Sequence, residues 1–180
     1  MKILIATDIH GSAYYAEQVA LKLKQNNCEQ LILLGDVYNH GPRNPFPKDY
    51  APAQVAEIFN AIADKVISVK GNCDSEVDQM ISDFPFVEQH IMTLGERRLY
   101  FTHGHVYSKF NLPQTAKQGD VVFYGHFHIN EITQNDGVIC VNVGSTSLPK
   151  DECHAYCILD DDVIRLCDFN DNVIAEHTLD

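Results

Sequence analysis

The sequence contains no apolar run that approaches the roughly 18 residues needed to span a bilayer. No membrane association is therefore expected. Its opening, Met1-Lys2-Ile3, has neither the long apolar stretch nor the small-residue cleavage site of a secretory leader. A cytoplasmic protein is expected, with free thiols at Cys28, Cys73, Cys140, Cys153, Cys157 and Cys167. Positive charge is scarce: 13 Lys and Arg against 25 Asp and Glu leave a formal net charge of −12. Such a surface repels phosphate backbones, which argues against nonspecific nucleic-acid binding. It still admits a small anionic substrate wherever something positive waits. Repeats and low-complexity linkers are missing too. The 180 residues read as one domain, 1–180, with room for a substantial core. Cys153, His154 and Cys157 look like part of a zinc site, but no second Cys/His pair of suitable spacing stands nearby. Small hydrophobes on one face of a late strand are the favoured reading of the two cysteines.

What is present divides into two halves. Lys2–Thr7, Gln30–Leu34 and Val66–Val69 are short apolar, strand-like runs. Between them lie helical patterns, one after an N-capping Ser12 with Ala13, Ala16, Val19, Ala20 and Leu23 on its apolar face. The other spans Pro52–Ala63, and a short helix is expected near Ser75–Ile81. This β-α-β-α-β order predicts a parallel sheet. Strands follow at Phe86–Thr93, Arg98–Thr102, Val121–Tyr124, Glu131–Gln134, Val138–Val143, His154–Leu159, Val163–Asp168 and Val173–His177. Asn135-Asp136-Gly137 is a hairpin signal, and Asp160-Asp161-Asp162 reads as another tight turn. Two sheets packed face to face and covered by helices fit this pattern. The stretch Tyr38–Pro52, with its four prolines, is long for a connection and is a candidate functional loop.

The chemistry lies where the strands stop. One run ends in Asp8-Ile9-His10-Gly11, the next in Gly35-Asp36, the third in Gly71-Asn72-Cys73-Asp74. Two later runs end in Thr102-His103-Gly104-His105 and Gly125-His126-Phe127-His128. Loops at the carboxyl ends of strands line the ligand crevice of an open α/β sheet. Each cluster also has a glycine that lets the backbone turn tightly. Taken singly, each is ordinary: Gly-Asp is turn chemistry and Gly-His-x-His a surface turn. Five together are not. Asp8, His10, Asp36, Asn72, His103, His126 and His128 offer oxygen and imidazole donors with no obligatory thiolate. That mixture suits Mn²⁺, Fe or Zn²⁺. The set is too large for one ion and suits two that share a carboxylate. Such a pair, about 3.5–4 Å apart, can activate water and hold both oxygens of an in-line displacement at phosphorus.

With this order of motifs the chain resembles the calcineurin-like metallophosphoesterases, whose pattern is Asp-x-His, Gly-Asp, Gly-Asn-His-Asp/Glu, a lone His and Gly-His-x-His. "GNCDSEVDQM", "THGH" and "NHGPRN" are similar to its small bacterial and archaeal phosphodiesterases. The resemblance implies a four-layer α/β/β/α sandwich of two mixed sheets flanked by helices. It implies one ion on Asp8, His10, Asp36 and His128, and a second on Asp36, Asn72, His103 and His126. Asp36 would bridge them, and Asn72 would also touch a substrate phosphate. Mn²⁺ is the leading metal, with Fe, Zn²⁺ or Ni²⁺ as alternatives. The implied reaction is hydrolysis of a small phosphodiester by a hydroxide bridging the two ions.

Cys73 departs from the family pattern, where a histidine often serves as general acid. A thiol is neutral near its usual pKa of about 8.5 and is a poor imidazolium mimic. A replacement donor or a good leaving group is therefore expected. His105 is the candidate donor, with His40 and Arg43 on the long loop as further candidates. Arg43 suits bidentate phosphate contact, while loop packing or a subunit contact is the competing reading for both loop residues. The alternatives in function are a phosphomonoesterase and a non-catalytic interaction scaffold like the retromer subunit Vps29. The complete ligand set favours hydrolysis. The resemblance also implies self-association as a homodimer or homotetramer.

Overall fold

A computed structural model describes residues 1–179. The chain forms two sheets. The larger runs in the order β12-β11-β10-β1-β2-β3-β4 and the smaller β5-β6-β7-β9-β8. In the larger, β1 (Lys2–Ala6), β2 (Gln30–Leu33), β3 (Val66–Val69) and β4 (Phe86–Val87) are parallel. Next to β1 stand antiparallel β10 (Ala155–Asp160), β11 (Val163–Asp168) and β12 (Val173–Thr178). In the smaller, β6 (Arg97–Phe101), β7 (Val121–Tyr124) and β9 (Val138–Val143) are parallel, edged by antiparallel β5 (His90–Leu94) and β8 (Asn130–Asn135).

Strand side chains alternate between faces, and here both faces are covered. That is why β1 and β2 read as unbroken apolar runs. Leu4, Ala6, Leu31 and Leu33 face helices α1 (Ala13–Gln25) and α2 (Pro52–Asn60), where Val19, Leu23, Val55 and Phe59 meet them. Ile3, Ile5, Ile32 and Leu34 face the other way, against Leu99, Phe101, Phe123 and Val141 of the smaller sheet. Phe101 and Phe123 stack there at 5.0 Å. Truncating either ring to Ala would cost about 3–5 kcal/mol, as expected for a buried aromatic. Ser12 caps α1 by accepting the Tyr15 N–H, and the helix buries the predicted Ala13, Ala16, Val19 and Leu23. The short α3 (Glu76–Met80) has Ser75 as its N-cap.

The structure corrects several expected boundaries. The run Phe86–Thr93 is two strands: Ser68 and Val69 pair with Phe86 and Val87, whereas His90 begins a strand paired with β6. The chain changes sheets at Glu88-Gln89. The second helix stops at Asn60, and a single 3-10 turn over Ala63–Lys65 completes the connection. The C-terminal strands are not a separate β half, because β10–β12 extend the first sheet. Over the outer face of the smaller sheet, irregular chain stands in place of a helical layer, and its Leu112 and Ala116 cover Tyr100, Tyr124 and Cys140. Both hairpin signals fold as turns, with Asp136, Gly137 and Asp161 at positive φ. Cys153 precedes β10 rather than sharing a face with Cys157, which is buried between the sheets. Neither cysteine joins a cluster of metal-ligating groups among the described residues.

Candidate metal centre

The carboxyl ends of two parallel strand sets, β1-β2-β3 and β6-β7-β9, meet at one edge. The backbone there is unusual. Asp8, His10, Asp36, His126 and His128 all have φ between 50° and 65°. Non-glycine residues seldom occupy this left-handed region, and it carries strain that the surroundings must hold. Those surroundings are specific. Asp8 N donates to Gly35 O, His10 N to Asp36 O and Gly125 N to His103 O. Close approach explains two of the glycines. A Cβ on Gly71 would lie 2.2 Å from Asp36 Oδ1, and one on Gly125 would lie 2.4 Å from Asp8 Oδ2.

Seven side chains converge from these turns. Asp8 Oδ2 accepts from Thr7 Oγ1 at 2.7 Å and from His126 N at 3.0 Å. Its Oδ1 is buried and receives no hydrogen bond, while Nε2 of His128 and of His10 lie 3.1 and 3.4 Å away. Asp36 Oδ1 accepts from Cys73 N. Its Oδ2 turns inward, 3.4 Å from His103 Nε2 and 3.9 Å from His10 Nε2. His103 Nε2 is 3.0 Å from Asn72 Oδ1 and 3.2 Å from His126 Nδ1. The opposite nitrogens are engaged outward. Nδ1 of His10, His103 and His128 meets the carbonyls of Asn39, Leu34 and Leu148 at 2.7, 2.8 and 2.6 Å. Donation from Nδ1 to a carbonyl fixes the tautomer and points a lone pair on Nε2 into the site, as metal-binding histidines require.

The electrostatics follow from burial and proximity. Burial alone would raise Asp8, but His10 and His128 outweigh it and hold its carboxyl well below the usual range. Burial disfavours a charged His103, yet Asp36 and Asp8 push it up to about 9. Burial, with the charge of His103 beside it, drives His126 down to about 4. The two carboxylates thus demand positive charge, and a proton on His103 supplies it when nothing else does. Asp8 Oδ1 and the convergent imidazole nitrogens are a fit for divalent cations. Three overlapping groups, Asp8/His10/His128, Asp8/Asp36/His103 and His10/Asp36/Cys73, each have their ligand atoms within 4.8 Å of one another.

Beside this cluster opens a cleft of about 630 Å³, lined by Asn39, Arg43, Asn44, Phe127 and Lys150 as well as Asp36, Asn72, Cys73, His126 and His128. Arg43 therefore lines the cleft beside the cluster. His40 does not: its ring packs on Phe46 and Tyr50 at 4.5 and 5.4 Å, which is the loop-packing alternative. His105 is exposed and outside the cleft lining, with its ring 5.3 Å from that of His103. Cys73 Sγ accepts from Asn72 Nδ2 at 3.3 Å. Burial and then Asp36 push its thiol up to about 12. Asp74 does not cap the helix that follows, where Ser75 is the N-cap. Its carboxylate accepts the N–H groups of Asp36, Val37 and Gly71, clasping two of the turns together.

Sequence reasoning missed the loop after β9. Ser145 and Ser147 hydroxyls both donate to Asp8 O, at 3.1 and 2.9 Å, and Thr146 N donates to Thr7 O. The signal was Gly144 after an apolar strand; the Ser145-Thr146-Ser147 stretch that props Asp8 contains no ligand-type side chain to mark it.

Residues 1–162 match the model of the calcineurin-like phosphoesterase superfamily domain. The chain belongs to that superfamily. It is a phosphoesterase by this membership and is 47% identical over 179 residues to phosphodiesterase YfcE of Escherichia coli K12, covering 98% of this chain and 97% of the relative. A solved structure of YfcE, described as a phosphoesterase from E. coli, superposes with a TM-score of 0.96 at 43% identity, covering 100% of both chains. Phosphodiesterase MJ0936 of Methanocaldococcus jannaschii is 25% identical over 168 residues, 87% of this chain and 86% of the relative. Vps29 of Entamoeba histolytica, solved as a complex with Zn²⁺, shares the fold, with a TM-score of 0.60 at 16% identity and full coverage of both chains. The two mixed sheets with flanking helices are the fold of this superfamily.

Proposed function

We propose that this chain hydrolyses small phosphodiesters using two divalent metal ions that share Asp36. The observation that carries the reading is the inward Oδ2 of Asp36, which lies between His103 Nε2 and His10 Nε2. Asp8, His10 and His128 complete one ligand set, and Asn72, His103 and His126 the other. Oxygen and imidazole donors favour Mn²⁺, with Fe, Zn²⁺ or Ni²⁺ as competitors. When bound, the ions supply Lewis acidity: they lower the pKa of water and offset charge on the phosphoryl oxygens.

The protein supplies the rest. Arg43, on the cleft wall, is placed to take a non-bridging oxygen as a bidentate donor. Asn72 Nδ2, now resting on Cys73 Sγ, is free to turn to a second oxygen. Without ions in the site, burial and Asp36 push the Cys73 thiol up to about 12, which makes it a weak general acid there. Burial and the charge of His103 lower the pKa of His105, whose exposed ring lies outside the cleft lining. Neither group is assigned as proton donor to the leaving oxygen, so substrates with stable leaving groups are favoured. The naming of the YfcE and MJ0936 relatives as phosphodiesterases supports diesters over monoesters. No described helix is long and apolar enough to cross a membrane, and we place the enzyme in the cytoplasm. Exposed Phe46, Met80 and Phe110 support assembly into a homodimer or homotetramer.

The test is hydrolysis of bis(p-nitrophenyl) phosphate and of p-nitrophenyl phosphate by metal-stripped protein with Mn²⁺ restored. An Asp36→Ala control runs alongside. Mn²⁺-dependent diester cleavage that the control lacks is expected. Folded, metal-binding protein that turns over neither ester would refute the assignment and leave an interaction scaffold. Preference for the monoester would move it to the phosphomonoesterases.

A further inference from the structure

We infer that Lys150 is a specificity-determining residue that reads a second negative charge on the substrate, so that the natural diester carries an additional anionic group on one arm. This rests on the phosphodiesterase reading and deepens it. The cleft is lined by two Lys or Arg side chains, Arg43 and Lys150, in a chain of net charge −12. They come from different elements. Arg43 lies on the proline-rich loop after β2. Lys150 lies on the loop after β9, which also props Asp8 through Ser145 and Ser147. One cation suffices for the phosphoryl group undergoing attack. The second requires another explanation.

Among the described residues, Lys150 has no side-chain partner that accounts for it as a structural residue. Lys2, Lys22 and Lys109 are paired with Asp160, Asp171 and Glu131. The carboxylate next to Lys150, Asp151, is occupied by Asn130 N, Asn130 Nδ2 and Cys153 N. Yet the lysine is fixed in place at its backbone. Lys150 N donates to His128 O at 2.8 Å, and two residues earlier Leu148 O receives His128 Nδ1 at 2.6 Å. The loop is thus stitched to the turn that carries ligands His126 and His128. Between those ligands, Phe127 lines the cleft, with its ring held by Phe110 and Tyr124 at 5.5 and 6.1 Å. An ester arm leaving the metal cluster on this side would pass a fixed apolar wall and meet an ammonium group. A lysine is a point charge on a flexible stem and needs no particular acceptor geometry. It therefore reads charge, whether phosphate, carboxylate or sulfonate.

The test uses the full-length Mn²⁺-loaded protein and two diesters with the same p-nitrophenyl leaving group. In one, the other arm is propyl; in the other, it is 3-sulfonatopropyl, whose charge is permanent and which cannot itself be hydrolysed as a phosphoester. The wild type is expected to favour the sulfonate by about tenfold in kcat/KM, the size of a charge-assisted contact at its weaker end. The preference should reside in KM and weaken with added salt. Lys150→Gln should bring the ratio of the two substrates close to one, and Lys150→Arg should restore it. Turnover of both esters with the same ratio in the wild type and Lys150→Gln would overturn the assignment while leaving the phosphodiesterase reading intact. Failure to turn over either ester with any divalent ion would overturn both.

Discussion

Nε2 of His10 and Nε2 of His128 face one another at 3.3 Å, while Nδ1 of each ring meets a backbone carbonyl. If each Nδ1 carries its proton outward, two lone pairs point at each other across buried Asp8 Oδ1, which itself accepts nothing. Such an arrangement is unfavourable without positive charge between the groups. Stripping divalent metal should therefore lower the thermal midpoint, and restoring Mn²⁺ should raise it with saturable concentration dependence. Calorimetric titration should find two sites in the wild type. His128→Ala should weaken one of them selectively. Retention of two equally tight sites in that variant would place His128 outside the ligand set.

Asp74 offers a separate test, because it acts on the ligand turns without touching the cleft. Its two oxygens accept three N–H groups, from Asp36, Val37 and Gly71. Asp74→Asn preserves shape but turns one acceptor into a donor facing N–H groups. Loss of stability by about 1–3 kcal/mol is expected from the unsatisfied donors. Metal affinity should fall by about 10–100-fold, the usual range for groups that position ligands. Urea unfolding in chelator separates the first effect from the second, which a metal titration of the folded variant reads. Unchanged stability in chelator would show that the clasp is dispensable.

How much of this was legible in the sequence depended on the range of the interaction that decided each feature. Buried strands such as Lys2–Ala6 and Val138–Val143 were visible because coverage on both faces leaves an unbroken apolar run. The seven convergent side chains were visible because each follows a strand directly, so strand ends alone brought them to one edge. The break at Glu88-Gln89 was not, since alternation continues through it and only pairing with β3 or β6 distinguishes the two strands. Nor could it be seen that His40 turns toward Phe46 and Tyr50 while Arg43, three residues on, lines the cleft. That choice is made by packing of the whole loop. Lys150 was overlooked for a similar reason: it follows no strand directly, and only the fold of its loop brings it to the cleft.

The thiol of Cys73 gives a prediction about pH. Burial first, and then the charge of Asp36, push it up to about 12, so in metal-stripped protein it remains a neutral thiol through the neutral and mildly alkaline range. Alkylation of Cys73 by iodoacetamide in metal-stripped protein should keep rising with pH past the usual thiol value of about 8.5. A plateau near that value would instead make the cysteine a titrating participant.

Far from the cleft, Lys22 is a buried lysine on α1 whose Nζ donates to Asp171 Oδ1 at 2.6 Å, and Tyr156 Oη donates to the same oxygen at 2.9 Å. The Lys22 ammonium, despite some opposing burial, holds the Asp171 carboxyl below its usual pKa. A carboxylate depressed in the folded state contributes stability above its unfolded pKa of about 3.9, and that contribution disappears as pH falls through the lower folded value. Asp171 is itself largely exposed, at 63%, so solvent screening keeps the effect modest. Asp171→Asn should cost about 1 kcal/mol at pH 7, with the buried ammonium losing its counter-charge. The difference from wild type should shrink toward zero at about pH 2, where the native carboxyl is also neutral. Urea midpoints of both proteins at the two pH values, in chelator, decide it. An equal penalty at both would mean that the amide disrupts packing rather than charge, because only the charge is removed by acid.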